Sequence, residues 1–248
     1  MNIKTSVIIL TNNEQDNIGK CMSSVAWSDE IIIVDDYSND KTTQIAQSRG
    51  AKVFKRRLNN DFSSQRNFGL KKAKNNWVLF LDADEILTAF LSEEIVRRLK
   101  NINPGVSGFC FKRTDHFINQ WLKHGETSNV RLLRLAKKNS GSWIGKVHET
   151  WQIKGETEEF SNPILHHPHK NLTSLYEKIN FYTGIRAKEL SNKGVKSTLF
   201  QIVVYPVGKF IQNYVLRKGF RDGTAGMVFA ISMSFHSFLV RVKLWQKN

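Results

Sequence analysis

NNWVLFLDADE, residues Asn75 to Glu85, is the stretch on which the fold turns. Trp77 to Leu81 is a continuous apolar run of strand length, with Asn75-Asn76 ahead of it and acids behind it. Such a run reads as a strand buried on both faces, as in the interior of a parallel sheet. Its carboxyl end carries Asp82, Asp84 and Glu85, and ligands of open α/β sheets bind beyond that end. Two carboxylates spaced in this way at a strand tip suit a ribose or a divalent cation. Hard oxygen ligands favour Mg²⁺ or Mn²⁺ shared with substrate phosphates. The plainer alternative is that the acids complement the dipole of a following helix.

The residues before this strand supply its neighbours. Ser6 to Leu10 (SVIIL) reads as a first strand, followed by a loop at Thr11 to Asn13 in which Asn12 or Asn13 caps a helix running towards Val25. Glu30 to Val34 (EIIIV) is a second strand and again ends in acids, Asp35 and Asp36. Thr42 to Arg49 is a short helix closed by Gly50, Lys52 to Phe54 a third strand, and Phe62 to Ala73 a helix turning Phe62, Phe68 or Gly69, and Leu70 towards the sheet. This alternation predicts an α/β fold with a parallel, doubly wound sheet. Asp35 or Asp36 is placed to accept hydrogen bonds from a base or ribose; the alternative is that Asp36, Ser38 and Asp40 form turns and cap the next helix. Neither GxGxxG nor GxxxxGK[ST] occurs, so no glycine-rich loop is available to neutralise phosphates. A metal at Asp84 with Arg66 nearby is the substitute.

SVIIL–TNNEQDNI, EIIIVDDYSNDKT and SSQRNFGLKKAKNNWVLFLDADE, in that order, resemble the N-terminal half of the family 2 glycosyltransferases. The resemblance implies a GT-A fold, a Rossmann-like, mostly parallel sheet flanked by helices. It implies that Thr11 lies along the base and nucleoside, that Asp36 faces a uracil with Asp35 supporting it, and that Arg66 sits by the base or diphosphate. It places Asp82 on the ribose and Asp84, the second acid of the DXD motif, on Mg²⁺ or Mn²⁺ bridging the diphosphate. It also implies direct displacement with inversion at the anomeric carbon, and hence a general base for the acceptor hydroxyl.

In the second half, Glu93 to Lys100 reads as a helix, and Gly108 to Arg113 and Val130 to Leu135 as strands. SGSWIGKVHETWQIKG reads as a loop returning through a short strand. VRLLR followed by W-x-G-x-VHE, with the later stretch from Tyr205 to Ala230, resembles a subgroup that includes lipopolysaccharide-core β-1,4-glucosyltransferases. That resemblance puts Val147 to Glu149 in the active-site region. Glu149 is then the candidate base, with Asp115 and Glu126 as competitors. His148 is a candidate metal ligand, a structural hydrogen bond being the alternative. His166, His167 and His169 (HHPH) lack a fourth ligand at zinc spacing and read as a surface turn around Pro168.

The formal charge of +15 implies a polyanionic partner: nucleic acid, anionic lipid or a phosphorylated substrate. Cys21 and Cys110 alone do not make a disulfide framework, and MNIKTSVIIL enters a strand without the apolar region of a signal peptide. From Leu199 onward apolar and aromatic residues interleave with Lys and Arg, and Pro206, Gly219 and Gly223 break the apolar stretches below spanning length. This is the pattern of helices lying in an anionic membrane interface, the alternative being a helical bundle packed on the sheet domain.

The expectation is a nucleotide-sugar-binding catalytic domain over residues 1–165 and a C-terminal amphipathic helical region over 166–248. The function expected is metal-dependent, inverting transfer of a hexose from a nucleoside diphosphate sugar to a lipid-linked or lipopolysaccharide acceptor. The expected location is the inner face of the cytoplasmic membrane, with no nucleic-acid partner. Two rivals remain. A nucleotidyltransferase needs a phosphate loop that Thr11 to Ile18 lacks, and a basic nucleic-acid-binding protein needs a module pattern that does not appear.

Overall fold

The computed structural model describes residues 3–146, 149–168 and 171–247. They fall into two compact units, Met1–Arg113 with Arg131–His166, and Thr114–Val130 with His167–Asn248. The chain runs β1 (Thr5–Thr11), α1 (Ile18–Ser24), β2 (Glu30–Asp35), α2 (Thr42–Ser48), β3 (Lys52–Lys55), α3 (Phe62–Lys72) and β4 (Trp77–Asp82). It continues through β5 (Glu85–Leu87), α4 (Ala89–Lys100), β6 (Val106–Phe117), β7 (Gln120–Trp121) and β8 (Arg131–Lys137). Then come β9 (Gly141–Ile144), β10 (Thr150–Ile153), β11 (Glu156–Glu159) and β12 (Ile164–His166).

The main sheet of the first unit runs β3-β2-β1-β4-β8-β6-β12-β5. The first four strands are mutually parallel, as helices α1 to α3 between them require. The expectation of a mostly parallel sheet fails beyond β4. β8 pairs antiparallel with both β4 and β6, and β12 pairs antiparallel with β5, so the sheet is mixed. β11 adds to β6 in parallel, while β8 returns from β6 in the antiparallel sense open to strands joined without a helical crossover.

β1 and β4 are buried on both faces, as their unbroken apolar runs demand. Val7, Ile9, Leu79 and Leu81 join Ile18, Met22, Leu91 and Ile95 of α1 and α4 on one side. Ile8, Val78 and Phe80 face Leu70 of α3 and Trp143 and Trp151 on the other. Gly69 lets α3 approach closely, since a Cβ there would lie 2.7 Å from Ile8 Cγ2. The stretch read as a loop is a hairpin of β9 and β10, pairing Trp143 with Trp151. Asn12 and Asn13 do not cap α1, whose first flanking residue is Asn17. Instead Asn13, at φ 57°, accepts from the Asn39 amide, and Asn12 Nδ2 donates to the Asp36 carbonyl, so the two loops at this sheet edge are sewn together.

In the second unit β7 folds back on the end of β6, pairing Trp121 with His116. Helices α5 (Leu172–Asn192) and α6 (Leu199–Ile211) each begin in a reciprocal capping box, Asn171 with Ser174 and Thr198 with Gln201. A π-helical turn (Gln212–Leu216) and a 3₁₀ turn (Gly219–Asp222) lead into α7 (Gly223–Trp245), which packs on both α5 and α6. Phe117, Leu122, Leu175, Ile179 and Ala225 form this unit's core. The expectation that glycines interrupt the terminal apolar stretch is corrected here. Gly223 joins the 3₁₀ turn to α7 without ending the helical run, so Gly219–Trp245 is long and apolar enough to cross a membrane by length and composition. Pro206 likewise sits inside α6.

Candidate active site

Strand register assembles the site in the first unit. β1 lies between β2 and β4, with Thr11 opposite Asp35 and Leu10 opposite Asp82. The carboxyl ends of three parallel strands therefore bring Thr11, Asp35, Asp36 and Asp82 to one edge.

Asp35 is fully buried and committed to its surroundings. It accepts from Thr11 Oγ1 at 3.0 Å and from the Ser38 amide and hydroxyl. Asp36 is half-buried and accepts from the Leu58 amide at 3.0 Å. Thus Asp35 sets the turn, while Asp36 stands at its rim.

Two buried arginines organise the acids. Arg66, on α3, stacks on the Trp143 ring at 4.7 Å and reaches Asp82 Oδ1 with Nη2 and Glu149 Oε1 with Nε, each at 2.8 Å. Arg134, on β8, reaches Asp82 Oδ2 at 2.9 Å and Glu85 Oε1 at 3.4 Å. Burial alone would raise the Asp82 carboxyl, but the flanking Arg66 and Arg134 guanidiniums outweigh it and hold that group well below the usual carboxylate range. Glu85 goes the other way. Its complete burial pushes it up, Arg134 offsets this only in part, and the Asp82 charge adds to the rise. Among the described residues, Arg66 Nη1 and Arg134 Nε and Nη1 are buried without a hydrogen-bond partner, so cationic donor capacity remains beside the acids.

The loop after β4 is held by the β5–β12 pairing, which sets His166 opposite Glu85. His166 Nε2 lies 3.4 Å from Asp84 Oδ2. His166 is therefore a strand residue facing the acidic motif, and the reading of this histidine as part of a surface turn is corrected. His167 instead belongs to the second unit, its ring 5.1 Å from those of His116 and Trp121, and His169 lies outside the described residues. No group of three or more His, Cys, Asp or Glu among the described residues is arranged to hold a metal. One carboxylate and one imidazole still fit a Mg²⁺ or Mn²⁺ that draws its other ligands from substrate phosphate and water.

The structure thus brings together Thr11, Asp35, Asp36, Arg66, Asp82, Asp84 and Glu149. His148 lies outside the described residues. Asp115 belongs to the second unit, where it is buried on β6. Glu126 belongs there too and is bound by Lys209 Nζ at 2.8 Å; burial would raise its carboxyl, and Lys209 more than cancels this. Arg134, Glu85 and His166 were not foreseen as site residues. The available signals were an arginine inside an apolar strand (VRLLR) and the first histidine of HHPH.

Residues 6–155 match the model of the family described as "Glycosyl transferase family 2". An uncharacterized glycosyltransferase of Rickettsia bellii (strain RML369-C) is 29% identical, over 97% of this chain and 86% of that protein. The lipopolysaccharide core biosynthesis glycosyltransferase LpsC of Rhizobium meliloti (strain 1021) is 25% identical, over 98% of this chain and 92% of that protein. A glucosyl-3-phosphoglycerate synthase from Mycobacterium tuberculosis, crystallised with Mn²⁺, uridine diphosphate and phosphoglyceric acid, superposes with a TM-score of 0.51 at 15% identity. That likeness covers 79% of this chain and 80% of the other, and it is a likeness of fold.

Proposed function

Since the chain belongs to glycosyl transferase family 2 and is a glycosyltransferase, we propose that it moves a hexose from a nucleoside diphosphate sugar, UDP-linked, onto a membrane-borne glycolipid of the cell envelope such as lipopolysaccharide core. One observation carries the donor assignment. The register of β2, β1 and β4 sets Asp35, Thr11 and Asp82 side by side, with Arg66 and Arg134 closing on Asp82. Acids for a nucleoside and guanidiniums for its diphosphate meet at the same edge. In the GT-A reading, Asp36 faces the base over a turn fixed by Asp35 and Thr11. Asp82 meets the ribose. The spare donors of Arg66 and Arg134 compensate the negative charge that a diphosphate brings.

Asp84 and His166 are the residues that would hold Mg²⁺ or Mn²⁺, with His148 as a further ligand. A bound cation supplies charge neutralisation for the departing diphosphate. Glu149 accepts the proton of the acceptor hydroxyl. The freed oxygen then bonds to the anomeric carbon as the bond to the diphosphate breaks on the opposite face, and the centre inverts. Arg66 engages Oε1 of Glu149, and Oε2 is the oxygen assigned to the proton. Asp115 is the reserve candidate for the same role. The apolar, basic second unit supports a lipid-borne acceptor and a location at the inner face of the cytoplasmic membrane; a nucleic-acid partner is not part of this reading. The test is a screen of nucleotide sugars for Mn²⁺-dependent nucleotide release, with Asp84→Ala as blank. Metal-independent release equal in both proteins would defeat the metal assignment.

A further inference from the structure

Helix α6 has no buried residue. Four of its exposed apolar side chains, Phe200, Val203, Val207 and Ile211, recur every three or four positions and so lie on one face, with Val215 of the π-helical turn next in the series. The face continues through the π-helical turn, and Leu199 to Leu216 spans about 27 Å at 1.5 Å per residue. The other side of α6 is occupied, because Ser234 of α7 donates to the Pro206 carbonyl at 2.8 Å and Arg241 of α7 stacks on Tyr205 at 3.9 Å. The capping box at Thr198 and Gln201 fixes where the helix starts.

The charge around this stripe says what covers it. From Gly194 to Asn248 the chain has eight Lys and Arg and one acid, Asp222. Asp222 is buried, accepting from the Lys123 and His124 amides and pairing with the His124 ring, so it does not offset the surface. Lys196 stands exposed just ahead of the stripe, and Lys218 and Arg221 stand exposed just beyond it. A second copy docked through this face would bring like charges together. A bilayer with anionic headgroups meets both features at once, taking apolar side chains into its acyl boundary and leaving cations at the phosphates.

We propose that α6 and the π-helical turn form a membrane-docking face, lying in the plane of an anionic lipid surface, with α7 held by α5 and α6 and not spanning the bilayer. The inference deepens the membrane location proposed above and rests on it, but it concerns lipid alone. Its measurement uses no sugar nucleotide.

The experiment floats the full chain on phosphatidylglycerol-containing vesicles and on pure phosphatidylcholine vesicles. Binding to the first, at least about tenfold weaker to the second, with release at alkaline pH, is expected for an interfacial helix. Phe200→Glu with Val203→Glu lowers binding about tenfold or more, and circular dichroism and nucleotide release stay at the level of the unaltered protein. Lys218→Glu with Arg221→Glu removes the preference for anionic lipid. Equal flotation of the Phe200/Val203 variant would overturn the proposal. So would retention in the bilayer at alkaline pH, which signals a spanning α7, or a lipid-free dimer that the same variant dissociates. Loss of nucleotide release with flotation intact would count against the transferase reading and leave this face standing.

Discussion

The two units treat their costly residues in opposite ways. The first buries charge: Glu85, Arg66 and Arg134 are buried at the tips and flanks of the sheet beside the half-buried Asp82, and each is held by a counterion from another element. The second exposes grease: Phe200 is 74% exposed and Leu216 71%, on a helix whose own fold does not need them. Burying a charge costs several kcal/mol unless it is paired, and leaving apolar surface in water forfeits about 25 cal/mol per Å². The proposed donor and the proposed lipid surface account for these two costs separately, one by charge and the other by apolar contact.

The sharpest way to break this contrast is in the first unit. Glu149→Gln keeps the shape of the side chain and removes its capacity to take a proton. Turnover should fall by on the order of 10²–10⁴-fold, the usual worth of a general base, while nucleotide-sugar binding measured by calorimetry persists. Unchanged kcat would move the role to another carboxylate. Asp84→Ala should lower turnover on the order of 10²–10³-fold, as loss of one electrostatic contact to a developing charge does. Its defect should shrink as Mn²⁺ is raised if His166 retains part of the site.

Arg134 tests whether the pairing of buried charge is needed for folding. Arg134→Met leaves Arg66 as the guanidinium on Asp82 and removes the ion pair that Glu85 makes among the described residues. Breaking a buried pair from one side costs about 3–5 kcal/mol, which denaturant unfolding will show as a lower midpoint at unchanged slope. Arg134→Met combined with Glu85→Gln should recover part of that loss. If the double variant is no more stable than the single one, the pair is not the reason for the arginine.

The parallel part of the sheet, β1 to β4, and its acids were legible from residue order, because a strand that is apolar without interruption and ends in carboxylates admits few other readings. Asp35, Asp82 and Asp84 could be placed for that reason. Arg134, Glu85 and His166 could not be. Their partnership depends on β8 lying antiparallel beside β4 and on β12 pairing with β5, and strand direction is not written in composition. His166 was visible in HHPH but was assigned to the neighbouring turn, since three histidines around a proline look alike until one of them is seen paired in a strand. The same holds for α6. Interleaved cations and apolar residues suggest helices at an interface, yet which face of α6 stays uncovered depends on where α7 packs.

Acid titration distinguishes the half-buried Asp82 from the fully buried Glu85. With its folded-state pKa lowered, Asp82 contributes stability that is present above the ordinary carboxylate range, about 3.9, and is lost as pH falls through the lowered value. Glu85 has a raised folded-state pKa, so its contribution is complete below about 4.3 and is lost as pH rises through the raised value. Glu85→Gln removes only the second dependence. From about pH 4 towards 7, the melting temperature of the variant should therefore gain on that of the unaltered protein. A gain in the opposite direction would mean that Arg134 outweighs burial and holds the Glu85 carboxyl below its ordinary range.

The smallest effect is the most discriminating for the second unit. Truncating a buried aromatic side chain typically costs 3–5 kcal/mol, because it removes apolar burial and leaves a cavity; Phe80, fully buried against Trp143 and Trp151, should behave so when replaced by Ala. Phe200→Ser removes a side chain of the same size from a site with neither burial nor cavity. Its effect on unfolding free energy should stay within about 0.5 kcal/mol, as for surface substitutions remote from special features. A cost near that of Phe80→Ala would mean that α6 is covered by protein in solution and that its apolar face serves the fold. A cost near zero means the residue is kept for something outside the folded chain, and the cations at both ends of the stripe then say what that something carries.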